Sequence, residues 1–364
     1  MTTGRVTPAF WKGKRVFLTG HTGFKGAWLA HWLISMGAEV TGYARAPNTD
    51  PALFDALELS DRLDHHVGDI RDADTFRTIL LQSRPNVVLH LAAQPIVSEG
   101  YADPTGTFET NVMGVVHLLE ACRALENPAQ VLVISSDKCY RNDNSGRAFA
   151  IDDPLGGHDP YSASKAGTEI VVGAYAASFF AKGGPVQLAS ARAGNVVGGG
   201  DWSLNRLVPD GARCFSTGVP LVLRNPLATR PWQHVLEPLH GYLSLVEAMA
   251  LDHSFARPWN FGPVINTHES VGRVAELMVG AWGANARIEI TTNAQDWEEA
   301  KTLDIDSSVT LDKLRWAPVL DLATTIDWTV AWYRAFYGAP DSAAVRAVTQ
   351  TQIDDYVALQ SRRS

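Results

Sequence analysis

The chain has 364 residues, of which 46% are hydrophobic, and it carries a formal net charge of −8. This length and hydrophobic content predict a folded protein with a sizeable core and exclude a disordered chain. The negative charge excludes the basic surface that nucleic acid or an anionic membrane would require, so we expect a small-molecule partner.

Cysteine usage and the N-terminal residues indicate the compartment. The three cysteines, Cys122, Cys139 and Cys214, are odd in number and lack metal-ligand spacing, which predicts free thiols in a reducing environment and no metal site. The first residues lack the apolar core of a signal peptide, and no apolar run approaches the length of a membrane span. We therefore expect a cytoplasmic protein.

The first predicted element is a strand at residues 16–19 that runs directly into Gly20, Gly23 and Gly26. Glycines at a sharp strand-to-helix turn let backbone N–H groups and the helix N-terminus approach a pyrophosphate. The spacing predicts a dinucleotide-binding turn, with an ordinary strand–turn–helix corner as the alternative. Apolar positions at helical spacing follow and stop at Gly37, which predicts the helix C-terminus.

The alternation of apolar runs with helical segments predicts the fold class. Further strand candidates lie at residues 39–43, 87–91, 131–135 and 187–191. This order favours an α/β protein with a doubly wound, Rossmann-type parallel sheet. We divide the chain into a dinucleotide-binding domain (residues 1–190, with a returning segment near 235–262), a smaller C-terminal substrate-binding lobe (191–338) and a C-terminal tail (339–364).

Tyr161 and Lys165 open a segment with helical apolar spacing, so they lie one turn apart on the same helical face. A phenol with a pKa near 10 is a poor base, but a neighbouring ammonium and an oxidised nicotinamide favour the phenolate. The phenolate can accept a proton from a hydroxyl while hydride leaves the same carbon. Such a pair also arises by chance, and its position after the glycine turn and four strand candidates makes it specific.

Ser136, Asp137 and Lys138 directly follow the strand candidate at residues 131–135. The carboxyl end of a parallel strand faces the cofactor crevice, so these side chains are expected beside the nicotinamide. A hydroxyl followed by an acid and an amine provides an acid/base pair that can eliminate water. The alternative is a salt bridge within a loop.

With these motifs in place, the chain resembles the extended short-chain dehydrogenases/reductases that act on nucleotide sugars, and among them the nucleotide-sugar dehydratases. The resemblance extends from Phe10 to about Trp332. It is carried by residues 19–26, 90–95, 111–114, 136–140, 159–165, 192–196, 198–202 and 230–235. Related dehydratases typically have glutamate at the position of Lys138, and the lysine favours the branch that acts on CDP-glucose.

The resemblance implies an NAD-dependent lyase that oxidises carbon 4 of the sugar, eliminates water across carbons 5 and 6, and consumes no net reductant. Tyr161 would deprotonate the carbon-4 hydroxyl, and Lys165 would hold the ribose and tune the tyrosine. Asp137 would protonate the departing carbon-6 hydroxyl, and Lys138 would assist removal of the carbon-5 proton. Ser136 would hydrogen-bond the carbon-4 oxygen.

The resemblance also implies the ligand contacts. Cofactor contacts are expected at Gly20, Thr22, Gly23, Phe24, Gly26, Arg45, Asp69, Ile70, Ala92, Ala93, Gln94, Asn111, Tyr161 and Lys165. Contacts to the nucleotide sugar are expected at Asn195, Arg224, Arg230 and His234. Alternatives remain, because Asp69 and Asn111 can instead cap loops or helices, and a surface arginine is often only solvated.

Arg45 leaves the choice of cofactor open. The chain has no acidic residue after the second strand candidate to bind both ribose hydroxyls, and Arg45 stands there instead. NADP is therefore an alternative to NAD. We favour NAD because the cycle needs no net reductant.

Alternative functions are another nucleotide-sugar 4,6-dehydratase, a 4-epimerase of the same fold or an inactive dinucleotide sensor. An epimerase does not need the pair Asp137 and Lys138, and an inactive sensor usually loses Tyr161 or Lys165.

We expect a homodimer, because the family resemblance and leftover apolar positions on the predicted helices at 108–124 and 161–181 favour a four-helix bundle between subunits.

Overall fold

The computed structural model describes residues 4–181, 184–263, 269–291, 303–338 and 341–363. A seven-stranded, wholly parallel sheet lies at its centre, in the order β3-β2-β1-β4-β5-β6-β7. Its strands are β1 (Arg15–Thr19), β2 (Glu39–Ala44), β3 (Asp64–Val67), β4 (Val87–His90), β5 (Ala129–Ile134), β6 (Val186–Ala193) and β7 (Pro258–Phe261). The predicted α/β class and doubly wound parallel sheet are confirmed.

Helices cover the sheet and build much of the C-terminal half. The longer ones are α1 (Phe24–Ser35), α2 (Ala73–Ser83), α3 (Gly114–Arg123), α4 (Pro160–Tyr175), α5 (Leu207–Ser216), α6 (Leu236–Leu251), α7 (Val271–Trp282), α8 (Leu322–Gly338) and α9 (Ser342–Arg363). Short helical segments lie at Pro8–Trp11, Leu53–Ala56, Leu59–Asp61, Val97–Ala102, Pro104–Phe108, Glu109–Met113, Asp137–Cys139, Ala176–Phe180, His253–Phe255 and Thr310–Leu314. Within the described ranges, no helix combines the length and apolar character that crossing a bilayer requires.

Short strand pairs lie mainly in the C-terminal half, outside the central sheet. They join Val196–Val197 to Gln233–His234, Leu221–Leu223 to Ile288–Ile290, Thr229–Arg230 to Glu269–Ser270, and Ala148–Phe149 to Asp304–Ile305. Three of these pairs draw both strands from the region predicted to form the substrate-binding lobe. The fourth ties residues near 148 to the same region.

The central strands are apolar on both faces because both faces are covered. In β1, Val16 and Leu18 belong to one apolar cluster, whereas Phe17 between them belongs to the other. In β4, Leu89 and Val88 divide in the same way. Side chains alternate across a strand, so an uninterrupted apolar run is the pattern that a doubly covered parallel strand requires.

The strand order reverses between β1 and β4. β1 pairs with β2 on one side and with β4 on the other, so the connections that leave their carboxyl ends diverge and open a crevice. The Thr19 hydroxyl holds the two strands together there, because it accepts the N–H groups of Leu91 and Ala92 at 3.1 Å each and contacts His90 Nδ1 at 2.8 Å. Burial lowers the pKa of His90 to about 3, so the ring is neutral. Because the Thr19 oxygen already accepts two N–H groups, we assign its proton to the bond with His90 Nδ1.

Two strands of the sheet were not among the five predicted. β3 (Asp64–Val67) is an edge strand with polar, partly exposed residues, so it lacks the apolar run that marks a buried strand. β7 (Pro258–Phe261) pairs in parallel with β6. It belongs, together with α6, to the segment near 235–262 that was predicted to return to the dinucleotide-binding domain.

The segment predicted as a polar tail contains the helix α9, which packs on the core. Val345, Ile353 and Tyr356 of α9 are buried. Tyr356 donates a hydrogen bond of 2.6 Å to the Glu237 carboxylate of α6. That carboxylate also accepts the backbone N–H groups of Val319 and Leu320 at 2.8 Å each. The few apolar positions of α9 are widely spaced, so the sequence of this helix resembles a polar tail.

We predict that Glu237 makes stability depend on pH. Burial raises the pKa of Glu237 to about 7, above the ordinary value of about 4.3. Because the folded-state pKa is raised, the contribution of this group is fully present below about pH 4 and is lost as the pH rises through about 7. Glu237→Gln keeps a side-chain oxygen for the two N–H groups and removes the ionisation.

Thermal unfolding between about pH 5 and about pH 8 should therefore show wild type losing about 1–3 kcal/mol of stability relative to Glu237→Gln. If the two proteins change in parallel over this range, Glu237 does not ionise as inferred.

Candidate active site

The glycine turn lies at the carboxyl end of β1, in the crevice between β1 and β4. Gly20 has a φ of +73°, and a Cβ there would lie 2.7 Å from the backbone nitrogen of Ala92. A Cβ at Gly26 would lie 2.1 Å from the Gly20 carbonyl oxygen. Gly23 is the N-cap of α1. The close packing at Gly20 and Gly26 requires glycine, and it leaves the N-terminus of α1 open to a diphosphate, which fits a dinucleotide.

Thr22, Phe24 and Arg45 surround this turn. The Thr22 hydroxyl donates a hydrogen bond of 2.9 Å to the Arg45 carbonyl and thereby ties the turn to the end of β2. Phe24 is half-buried, and its ring lies 3.2 Å from where a Cβ of Gly198 would be. The Arg45 side chain is exposed, so its guanidinium is accessible to a ligand at this edge.

Asp69 is already engaged by a residue that the sequence analysis did not select, Arg71. The Arg71 guanidinium donates from Nε at 3.0 Å and from Nη2 at 2.7 Å to the Asp69 carboxylate. Hydrogen bonds from Arg71, aided by the charge of Arg45, lower the pKa of Asp69. An adenine amine would have to share this carboxylate with Arg71. Ile70 is buried beside Gly114, where a Cβ would lie 2.9 Å from its Cγ2.

The loop after β4 carries Ala92, Ala93 and Gln94, which are all half-buried. Asn111 holds this loop, because its Oδ1 accepts the Gln94 N–H at 2.8 Å and its Nδ2 donates to the Gln94 carbonyl at 3.0 Å. Nδ2 also donates to the Ser164 hydroxyl at 2.9 Å. Both amide hydrogens of Asn111 are thus used between the loop and α4, so its side chain joins this loop to the helix.

Tyr161 and Lys165 lie on the first turns of α4, as their spacing predicts. Asp159 caps this helix and accepts the Ser162 N–H at 2.9 Å. Lys165 Nζ lies 6.0 Å from the centre of the Tyr161 ring. Burial lowers the pKa of Lys165 to about 8. Burial also raises the pKa of Tyr161 to about 12, against a hydrogen bond with Ser136 that acts in the opposite direction.

Ser136 joins Tyr161 to Asp137. The Ser136 hydroxyl donates a hydrogen bond of 2.8 Å to Asp137 Oδ1 and accepts the Lys138 N–H at 3.2 Å. Asp137 is buried, and burial raises the pKa of its carboxyl, against the opposing effects of Ser136, Lys138 and Lys25. A carboxyl in this environment keeps its proton to a higher pH than an exposed aspartate, which suits a proton donor.

Sequence reasoning missed two cations of this site. Lys25 lies in the first turn of α1, and burial lowers its pKa to about 8, with the charge of Asp137 acting against the shift. Arg206 pairs with Asp201 at 2.9 Å and acts electrostatically on both Lys25 and Tyr161. Lys25 lies within the glycine motif, and a charged residue among glycines was the sequence signal that could have identified it as a site residue. Arg206 has no local signal, because the fold alone brings it here.

Three of the predicted substrate contacts have accessible side chains. Asn195 follows β6 and is exposed, and Arg224 is exposed just after the short strand Leu221–Leu223. Arg230 is half-buried, and its Nη1 donates to the Thr229 carbonyl at 2.8 Å.

His234, which was also predicted to contact the substrate, is enclosed in the core of the structure. Its side chain is fully buried, with ring centres 6.1 Å from Trp28 and 5.8 Å from Trp328. Its Nδ1 accepts the Leu236 N–H at 3.3 Å. His234 is therefore a core residue at the start of α6, because aromatic side chains that are distant in sequence close over it.

Comparisons with known proteins show what this chain is similar to. A CDP-glucose 4,6-dehydratase of Salmonella typhimurium is 42% identical over 358 residues, which cover 97% of this chain and 99% of that protein. Two solved structures share the fold. An epimerase of Methanothermobacter thermautotrophicus has a TM-score of 0.76 at 20% identity and covers 91% of this chain and 95% of its own. A dTDP-glucose 4,6-dehydratase of Streptomyces venezuelae, solved with NAD and TYD bound, has a TM-score of 0.72 at 23% identity and covers 89% and 98%.

At these identities the solved structures show the fold alone, whereas the sequence match shows the family. The profile of the family described as GDP-mannose 4,6 dehydratase matches residues 17–329. The chain therefore belongs to the GDP-mannose 4,6 dehydratase family.

Proposed function

We propose that the protein is an NAD-dependent lyase that converts CDP-glucose to CDP-4-dehydro-6-deoxy-D-glucose and water. One observation carries the proposal: the Ser136 hydroxyl donates to the buried acid Asp137, and Ser136 also acts to lower the pKa of Tyr161 of the oxidation pair, against the effect of burial. A proton-transfer pair and an elimination acid thus share one site. The relative from Salmonella typhimurium, which is 42% identical over nearly the whole chain, supports this substrate.

The turn at Gly20, Gly23 and Gly26 would hold the diphosphate of the cofactor at the N-terminus of α1, and Lys165 would hold its ribose. Bound there, NAD would supply reversible hydride transfer between carbons 4 and 6 of the glucose, and its oxidised ring would favour a nearby phenolate. NAD is proposed rather than NADP because the reaction consumes no reductant. The Streptomyces venezuelae relative was solved with NAD.

Tyr161 removes the proton of the carbon-4 hydroxyl. Ser136, which shares a hydrogen bond with Tyr161, orients the carbon-4 oxygen. Lys165 is buried one helical turn away, so its ammonium stabilises the phenolate with little screening by water. The resulting ketone acidifies the carbon-5 proton.

Asp137 and Lys138 complete the elimination. Lys138 assists removal of the carbon-5 proton while Asp137 gives its proton to the carbon-6 hydroxyl, so that the C6–O bond breaks, a C5–C6 double bond forms and water leaves. Burial raises the pKa of Asp137, so its carboxyl retains the proton that it donates in this step. When hydride is added back to carbon 6, the proton that was removed returns to carbon 5 with the help of Lys138.

Asn195, Arg224 and Arg230 are proposed to bind the nucleotide sugar, since arginine forks match diphosphate oxygens.

We also propose a homodimer and a cytoplasmic location. Phe108 and Met113, just before α3, are 40% and 45% exposed, and Ile170 and Phe179, on α4 and its extension, are 60% and 46% exposed. Two such apolar faces would bury each other in an isologous four-helix bundle. The cysteines are free thiols, which suits a reducing compartment.

Substrate use tests the proposed function. The protein should form a 4-keto-6-deoxy product from CDP-glucose in preference to dTDP-glucose, UDP-glucose and GDP-mannose. CDP-glucose with deuterium on carbon 4 should give product with that deuterium on carbon 6, read by mass spectrometry or NMR. A requirement for stoichiometric reduced cofactor, or an epimerised product that keeps its carbon-6 hydroxyl, would overturn the proposal.

Substitutions separate oxidation from elimination. Tyr161→Phe should abolish all turnover, because it removes only the proton-accepting oxygen. Asp137→Asn and Lys138→Met should lower product formation by about 10²-fold or more. Because oxidation survives in these two variants, a 4-keto sugar that still carries its carbon-6 hydroxyl should accumulate on the enzyme. Normal turnover by both would show that the pair is only a structural salt bridge.

Sedimentation at micromolar concentration tests the dimer. Wild type should sediment as a dimer, and Ile170→Glu should shift it towards monomer because a charge is placed in the apolar face. Exposed Leu251, which is distant from both helices in sequence, offers Leu251→Glu as a matched control. A monomeric wild type contradicts the proposal.

A further inference from the structure

Glu169 and Arg192 form a buried ion pair beneath the site that the roles above do not use. Arg192 Nη2 donates to Glu169 Oε2 at 2.7 Å, and the two side chains are 4% and 1% exposed. Glu169 lies on α4 one turn after Lys165, and Arg192 lies on β6. The pair therefore joins the helix that carries Tyr161 and Lys165 to the central sheet.

Each member of the pair also holds one end of the segment that carries Ser136, Asp137 and Lys138. The Ser135 hydroxyl, just before this segment, donates to Glu169 Oε1. Just after it, the Tyr140 hydroxyl accepts a hydrogen bond of 2.6 Å from Arg192 Nη1.

The far end of this network is anchored in the sheet and in a nearby loop. Tyr140 donates to Asn260 Oδ1 of β7 at 2.7 Å. Arg192 Nη1 donates to the Ile151 carbonyl at 2.8 Å. Removing two charges from water is costly, and an apolar pair of similar volume often serves stability equally well. Stability alone therefore does not account for an ion pair that reaches both ends of one segment.

We propose that Glu169 and Arg192 are positioning residues that hold residues 136–139 in register with Tyr161 and Lys165. The inference rests on the proposed function, in which the two groups of residues act on adjacent carbons of one sugar ring. Oxidation at carbon 4 and elimination across carbons 5 and 6 require both groups to fit the same bound ring. A displacement of about 1 Å can reduce such a rate about 10²-fold.

Three conservative substitutions test this register. Ser135→Ala releases the front end of the segment, and Tyr140→Phe releases the back end. Ser190→Ala is the matched control, because the Ser190 hydroxyl donates to Glu169 Oε2 at 2.8 Å but lies on β6, outside the segment. Ser135→Ala and Ser190→Ala each remove one hydroxyl from the same carboxylate, and comparison of their thermal unfolding checks that they cost similar stability.

We expect Ser135→Ala and Tyr140→Phe to lower kcat for CDP-glucose about 10-fold or more with KM unchanged, and Ser190→Ala to keep kcat near that of wild type. Amide hydrogen exchange of residues 136–139 should be faster in the first two variants only. Equal loss of kcat in all three, in proportion to thermal stability, would overturn the inference, as would unchanged kcat and exchange in Ser135→Ala and Tyr140→Phe.

The exchange measurement needs no substrate, so it tests the hold on this segment even if the proposed function fails. A wild type that dehydrates no nucleotide sugar refutes the proposed function. An active wild type whose residues 136–139 exchange alike in all three variants refutes the positioning role.

Discussion

Parallel pairing of the seven strands is the constraint on which the site depends. It brings every strand's carboxyl end to one edge of the sheet, and the reversal of strand order between β1 and β4 opens a crevice there. The hydroxyl of Thr19 holds this opening by accepting two N–H groups from the chain that leaves β4. The glycine turn after β1, the loop after β4 and residues 136–138 after β5 are close together for this reason, although more than a hundred residues separate the first of these segments from the last.

Burial rather than any single charge pair sets the electrostatics of this crevice. Desolvation raises the pKa of Asp137 and lowers the pKa values of Lys165 and Lys25 to about 8. The pKa values of the acid and of its neighbouring amines thereby approach one another. Proton transfers among these groups near neutral pH therefore cost less free energy than they would in water. The sheet, α1 and α4 supply the burial, which makes the fold itself part of the proton-transfer chemistry.

Two buried glutamates accept several hydrogen bonds each and stabilise different parts of the structure. Glu237 accepts two backbone N–H groups and the Tyr356 hydroxyl, and so joins α6 to α9. Glu169 accepts from Ser135 at the front end of the segment carrying Asp137 and from Ser190 and Arg192 on β6. Arg192 in turn reaches the back end of that segment through Tyr140. The first contact fastens a helix to the core, whereas the second couples the helix of Lys165 to the neighbouring acid.

The sequence by itself determined the local parts of the protein. The glycine turn and the spacing of Tyr161 and Lys165 depend only on residues within two turns of a helix, and buried parallel strands appear as apolar runs. Only the tertiary structure decided the contacts between distant segments. It enclosed His234 among tryptophans and turned the polar edge residues 64–67 into a strand. It also paired Glu169 with Arg192 across the site. No local pattern reports such contacts, because they arise when separate elements pack and exclude water from the side chains between them.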